Sequence, residues 1–155
     1  MTINEFILVL FQNKALLAAI LAWFVAQTIK ALVLSSKDKK FRFNFYSLPG
    51  GFPSSHSATS IALAVSVGLI NGFNSISFAI AAVLAFYIIY DARVIRGAAG
   101  KQAQSLNRLI EILNNDIDDS EDMEKVKEVI GHSLFEIFAG GLIGVAISFL
   151  VVYGL

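Results

Sequence analysis

Two long apolar runs, Ala15–Leu34 and Leu134–Tyr153, constrain this chain more than any other feature. Each matches the ~20 residues a helix needs to cross the hydrocarbon core of a bilayer. In hydrocarbon every backbone N–H and C=O must be satisfied within the segment, so such runs fold as helices. Two shorter runs, Ser57–Phe73 and Ile76–Tyr90, share this character and are joined by the turn-forming Asn71-Gly72-Phe73-Asn74-Ser75. Hydrophobic residues make up 56% of the chain and charged ones 15%, whereas soluble domains run near 45–50% and 25%. The expected architecture is all-α: one domain over residues 1–155, a multi-pass membrane helical bundle with about four spanning helices (15–34, 57–73, 76–90 and 134–153).

Short amphipathic helices complete this picture. Phe6–Phe11 is too short to span and reads as an interfacial helix or as the first turns of a longer one. Over Ala98–Leu113, the residues Leu106, Leu109, Ile110 and Leu113 follow helical spacing. Asn114–Asp122 reads as an acidic turn and Glu121–Ile130 as a further short helix, with Gly131 as its stop. The opening residues lack the basic stretch of a signal peptide. The chain has no cysteine, which leaves the redox compartment unread.

An even number of spans puts the loops at 35–56 and 91–133 on one side of the membrane. Ten of the twelve basic residues lie in those loops, Lys14 is on the other side, and Lys30 sits near the end of its run, where it can snorkel to the interface. The positive-inside tendency makes the loop side cytoplasmic and the location the cell membrane. An anion-binding site would demand cations on that face as well.

The chain has two histidines, and both stand where a polar loop enters an apolar run. In Pro53-Ser54-Ser55-His56 a serine can cap the helix, proline suits its first turn, and the free N–H groups with the macrodipole favour an anion. A histidine there can protonate a leaving oxygen. The alternative is an ordinary capped helix with an interfacial histidine. His132 and Glu136 are one helical turn apart, so the carboxylate can orient the imidazole. Against this, Ser133 and Glu136 have capping-box spacing, with the glutamate serving the backbone; the two roles can also be sequential or shared. Asp91, Arg93 and Arg96 follow an apolar run; arginine suits phosphate oxygens, yet for Arg93 a charge cluster ending a span is the preferred reading. Gly97–Lys101 lacks phosphate-loop spacing, and the acidic residues from Asp116 to Asp122 lack the glycine and glutamate of a calcium loop. Gly140 and Gly144 are spaced for close helix packing, within the chain or in a homo-oligomer.

Taken together, Gly50-Gly51-Phe52-Pro53-Ser54-Ser55-His56-Ser57-Ala58, Tyr90-Asp91-Ala92 through Arg96, Ala98-Ala99-Gly100-Lys101-Gln102-Ala103, Leu106-Asn107, and Gly131-His132 through Glu136 closely resemble the divergent branch of the type-2 phosphatidic acid phosphatase family. That family is related to acid phosphatases and vanadium-dependent haloperoxidases. The resemblance covers about residues 5–153 and implies a metal-free, cofactor-free hydrolysis of a lipid phosphate or pyrophosphate. It implies His132 as the nucleophile forming a phosphohistidine, Glu136 as its orienter and His56 as the acid. Ser54, Ser55, Lys30, Arg96 and Lys101 become the phosphate contacts, with Arg42 a further candidate. Ser55 stands in place of the family's glycine, Glu136 in place of its aspartate, and Val126 in place of the arginine six residues before the nucleophile. No Arg-Pro follows Lys30. The expected partners are a lipid phosphate and membrane lipids, not nucleic acid. The competing reading is a non-catalytic membrane protein that binds anionic phospholipid or acts as a scaffold or carrier.

Overall fold

The computed structural model describes residues 2–38, 50–116, 124–128 and 131–155, and its regular elements are all helical. α1 (Ile3–Gln12) is a separate helix, not the first turns of the next one. It starts at a capping box in which Glu5 N donates to Thr2 Oγ1 and Thr2 N to Glu5 Oε2. It stops at Asn13, whose side-chain oxygen accepts from Leu16 N and so caps the helix that follows.

α2 (Lys14–Asp38), α3 (Ser55–Asn71), α4 (Ile76–Tyr90) and α6 (Leu134–Gly154) form the bundle. Among the described residues three helices are long and apolar enough to cross a membrane: α2, the rod that begins with α4, and α6. About four were expected. α3, with 17 residues, falls short of that length, and its buried residues are all serine, alanine or glycine.

That composition sets the packing. Between helices in hydrocarbon there is little hydrophobic drive, so small residues that let backbones approach make the interfaces. α3 lies in the middle, against α2, α4 and α6. Ala22 and Ala26 of α2 meet Ala58 and Ala62 of α3, and Ala64 of α3 meets Ala81 and Ala85 of α4. Gly140 and Gly144 of α6 are buried against α3: a Cβ on Gly140 would overlap the Ser54 carbonyl oxygen, and one on Gly144 would stand 2.6 Å from that of Ala58. Of the two roles open to that glycine spacing, close packing within the chain is the one Gly140 and Gly144 take, against α3. Ser148 Oγ donates to Ala62 O at 2.9 Å across the same contact. Lys14 Nζ donates to Val152 O, which ties the start of α2 to the end of α6 and makes the two antiparallel. Large apolar side chains such as Phe86, Phe138, Leu142 and Phe149 remain exposed, as befits a surface facing lipid tails.

Four expectations near the polar end are corrected. α4 does not stop at Asp91: a π-helical turn (Asp91–Ile95) carries it directly into α5 (Arg96–Asp116), so one rod leaves the bundle. The segment expected to be helical over 121–130 is not helical at residues 124–128. Asn107 explains why. Its amide donates to Val126 O at 2.9 Å and accepts from Val126 N at 2.8 Å, which takes both backbone groups a helix would use. α2 also runs past Leu34 to Asp38. Lys30 therefore lies inside the bundle, 2% exposed, and does not snorkel.

Candidate active site

The starts of α3 and α6, the second half of α2 and the π turn meet at one end of the bundle. Ser54 is the N-cap of α3, with its side-chain oxygen accepting from Ser57 N at 3.3 Å and from the Ser57 hydroxyl at 3.1 Å. Its own N–H donates to Glu136 O at 3.0 Å and locks the cap to α6. Pro53 precedes the cap instead of occupying the first turn. Ser54 and Ser55 are buried, His56 is half-buried, and His56 Nδ1 is enclosed without a hydrogen-bond partner among the described residues. An enclosed nitrogen in that state calls for a partner, which water or a ligand can supply.

The His56 and His132 rings are 5.7 Å apart between centroids, inclined at 61°. His132 is 6% exposed. Its Nδ1 lies 3.0 Å from Glu136 Oε2, and the same oxygen accepts from Ser133 N at 3.0 Å, while Glu136 N donates to Ser133 Oγ. The capping box and the oriented imidazole coexist. With a carboxylate at Nδ1, the proton of the neutral ring belongs there and Nε2 keeps its lone pair, the state a nucleophile needs. The backbone of His132 is anchored too, its N–H donating to the Ala92 carbonyl in the π turn at 3.0 Å. Gly131 permits that approach, since a Cβ there would stand 2.6 Å from Arg93 O and 2.8 Å from Gly97 N.

The cations divide into two groups. Lys30 lays its stem beside Gly51, and its charge interacts with Glu136 and with His56. Arg96 also acts on His56, though its Nε is held by Asp91 Oδ2 at 3.1 Å. Lys101 does not join this group. It is exposed and lines, with Arg93, Gly97 and His132, a cavity of about 630 Å³ between α5 and the start of α6. Arg42 lies outside the described residues. Sequence reasoning gave Arg93 no role; its spacing with Gly97, Gly100 and Lys101 would have shown one face once the helix was continued back through Asp91. A second cavity of about 220 Å³ beside His56, lined by Trp23, Thr59, Ser60 and Ile88, was likewise unforeseen.

These features define a helical membrane protein whose two histidines, each at a capped helix start, face one another among a buried lysine, a carboxylate and an arginine. The chain belongs to the divergent PAP2 family, which matches residues 11–147. It is similar to the uncharacterized membrane protein YuiD of Bacillus subtilis, with 33% identity over 153 residues, covering 93% of this chain and 97% of that one. No solved structure matches.

Proposed function

We propose that this protein is a metal-independent membrane phosphatase that hydrolyses a lipid phosphate or pyrophosphate through a phosphohistidine. The observation that carries the reading is the His132–Glu136 contact of 3.0 Å with the His56 ring 5.7 Å from that of His132. His132 Nε2 attacks phosphorus and the bond to the leaving oxygen breaks. His56, as an acid, protonates that oxygen. Water then attacks the phosphohistidine while His56 takes its proton, which releases phosphate and restores His132. Lys30 and Arg96, with Ser54 and Ser55 at the start of α3, hold the phosphoryl oxygens where charge builds up. The membrane-embedded bundle favours a substrate with its phosphate at the interface and its chain in the bilayer. By the positive-inside tendency the site opens to the cytoplasmic face of the cell membrane.

One observation favours a second reading, a non-catalytic binder of anionic phospholipid. Val126 stands where the family's phosphate-binding arginine is expected, exposed and with its backbone tied to Asn107. Detergent-purified protein assayed on a panel of lipid phosphates with chelator present distinguishes the two. Turnover lost in His132→Ala and at least about a hundredfold lower in His56→Ala is the expected result. Turnover unchanged in both variants would sink the proposed site. Lipid-phosphate binding without turnover on any substrate would leave the second reading.

A further inference from the structure

Asp91 and Arg96 are five residues apart, yet Asp91 Oδ2 and Arg96 Nε form an ion pair at 3.1 Å. On an α-helix of 3.6 residues per turn, residues five apart stand roughly 140° round the axis from one another and do not face each other. The pair exists because the chain makes a π turn there. Arg96 N donates to Asp91 O, five residues back, and that closure brings the two side chains onto one face. We propose that Asp91 is a positioning residue, which holds Arg96 by its Nε edge across the π turn and so presents the rest of the guanidinium to a phosphoryl group between His56 and His132. This role rests on the phosphate-binding part proposed above for Arg96.

The pair does little to hold the fold, since its side chains are 38% and 43% exposed and ion pairs at such exposure contribute little to stability. What it constrains is direction. A guanidinium carries five N–H donors in one rigid plane. With Nε–H committed to Asp91, the two terminal nitrogens have no hydrogen-bond partner among the described residues. They keep the edge that suits two phosphate oxygens at once. Arg96 is also near enough for its charge to act on His56, so that edge lies within reach of the histidine cradle.

The same turn seats the nucleophile. Ala92, the residue after Asp91, gives its carbonyl to His132 N at 3.0 Å, and Gly131 passes close against Arg93 O and Gly97 N. The backbone under His132 and the cation facing it are therefore set by one five-residue element. Asp91 is the side chain that ties the first residue of that element to the residue after its last. The Asp91 charge also reaches His56, in the opposite sense to that of Arg96. A direct effect of Asp91 on that ring is the rival explanation, and removing Arg96 separates the two.

A double-mutant cycle on the full chain, in detergent with chelator, tests this through two readouts: kcat/KM on a lipid phosphate, and calorimetric affinity for a non-hydrolysable alkylphosphonate. Arg96→Gln should lower kcat/KM about a hundredfold and Asp91→Asn about tenfold, with phosphonate affinity falling in step. In the Arg96→Gln background, Asp91→Asn should change either readout by less than about twofold, because its effect passes through Arg96. Asp91→Glu keeps a carboxylate within reach of Nε and should restore most of the loss. Thermal unfolding of these proteins should agree within a few degrees. Equal losses from Asp91→Asn with and without Arg96 would overturn the proposal, by assigning the carboxylate to His56 or to the helix itself. So would wild-type values in Asp91→Asn, or a wild type that neither turns over the lipid phosphate nor binds the phosphonate. Phosphonate affinities that follow the cycle, with no turnover in any variant, would uphold the positioning role and sink the phosphatase reading alone.

Discussion

Replacing Glu136 with glutamine separates two tasks that one carboxylate oxygen performs. Oε2 accepts from Ser133 N, closing the capping box of α6, and holds Nδ1 of His132, both at 3.0 Å. Glutamine is accepted at this position of a capping box, so the helix start loses only a charge–dipole interaction of about 0.3–1 kcal/mol. The loss at the imidazole is larger. His132 gains positive charge as it attacks phosphorus, and at 3.0 Å with an effective dielectric of about 20 the attraction to the carboxylate is about 5 kcal/mol. The glutamine amide keeps a hydrogen bond worth about 1 kcal/mol. The transition state therefore loses about 3–4 kcal/mol, a fall in kcat of roughly 10²–10³-fold. The assay is turnover of a lipid phosphate in detergent with chelator, beside thermal unfolding of the same preparations. The expected Glu136→Gln protein unfolds within a few degrees of the wild type and is nearly inactive. Turnover within threefold of the wild type, together with a clearly lowered unfolding temperature, would mean that the carboxylate serves the backbone alone.

Gly131→Ala should cost about 1–3 kcal/mol and disable the site, because its Cβ would press on the rigid backbone of Arg93 and Gly97 and lift His132 from Ala92; unfolding in detergent and turnover read the two effects. Gly97→Ala is the opposite case, with nothing within 4 Å of the added carbon, and should be neutral or up to about 1 kcal/mol stabilising in the same unfolding assay. Gly140→Ala should destabilise by about 1–3 kcal/mol, since α3 and α6 must part to clear the Ser54 carbonyl. Asn107→Ala removes both bonds to Val126 and should release the 124–128 segment, which hydrogen exchange at Val126 would report as lost protection.

What the amino-acid sequence discloses here follows the range of each interaction. Ser54 as a cap and the His132–Glu136 pair depend on residues within one helical turn, and both are where local spacing places them. Hydropathy finds three of the four expected spans among the described residues, in α2, the α4 rod and α6, because each carries a long apolar run, while α3 is too short. It misses the continuity of α4 with α5, since Asp91, Arg93 and Arg96 mark where the rod leaves the hydrocarbon and not where the helix ends. Glycine spacing in α6 announces a close neighbour, yet whether that neighbour is α3 or a second chain is a tertiary fact. The 121–130 segment has helical periodicity, but a distant amide at Asn107 claims the backbone of Val126.

The capping box and the oriented histidine look like rivals in sequence because each claims the same glutamate. A carboxylate oxygen has two lone pairs and accepts both donors at once. Ser133 then does more than start a helix. Its N–H fixes the rotamer of Glu136, Glu136 fixes the imidazole of His132, and the bond from His132 N to Ala92 fixes the backbone beneath it. The bland feature supports the chemical one, so a variant that spoils the cap, Ser133→Ala, should cost activity as well as about 1 kcal/mol of stability.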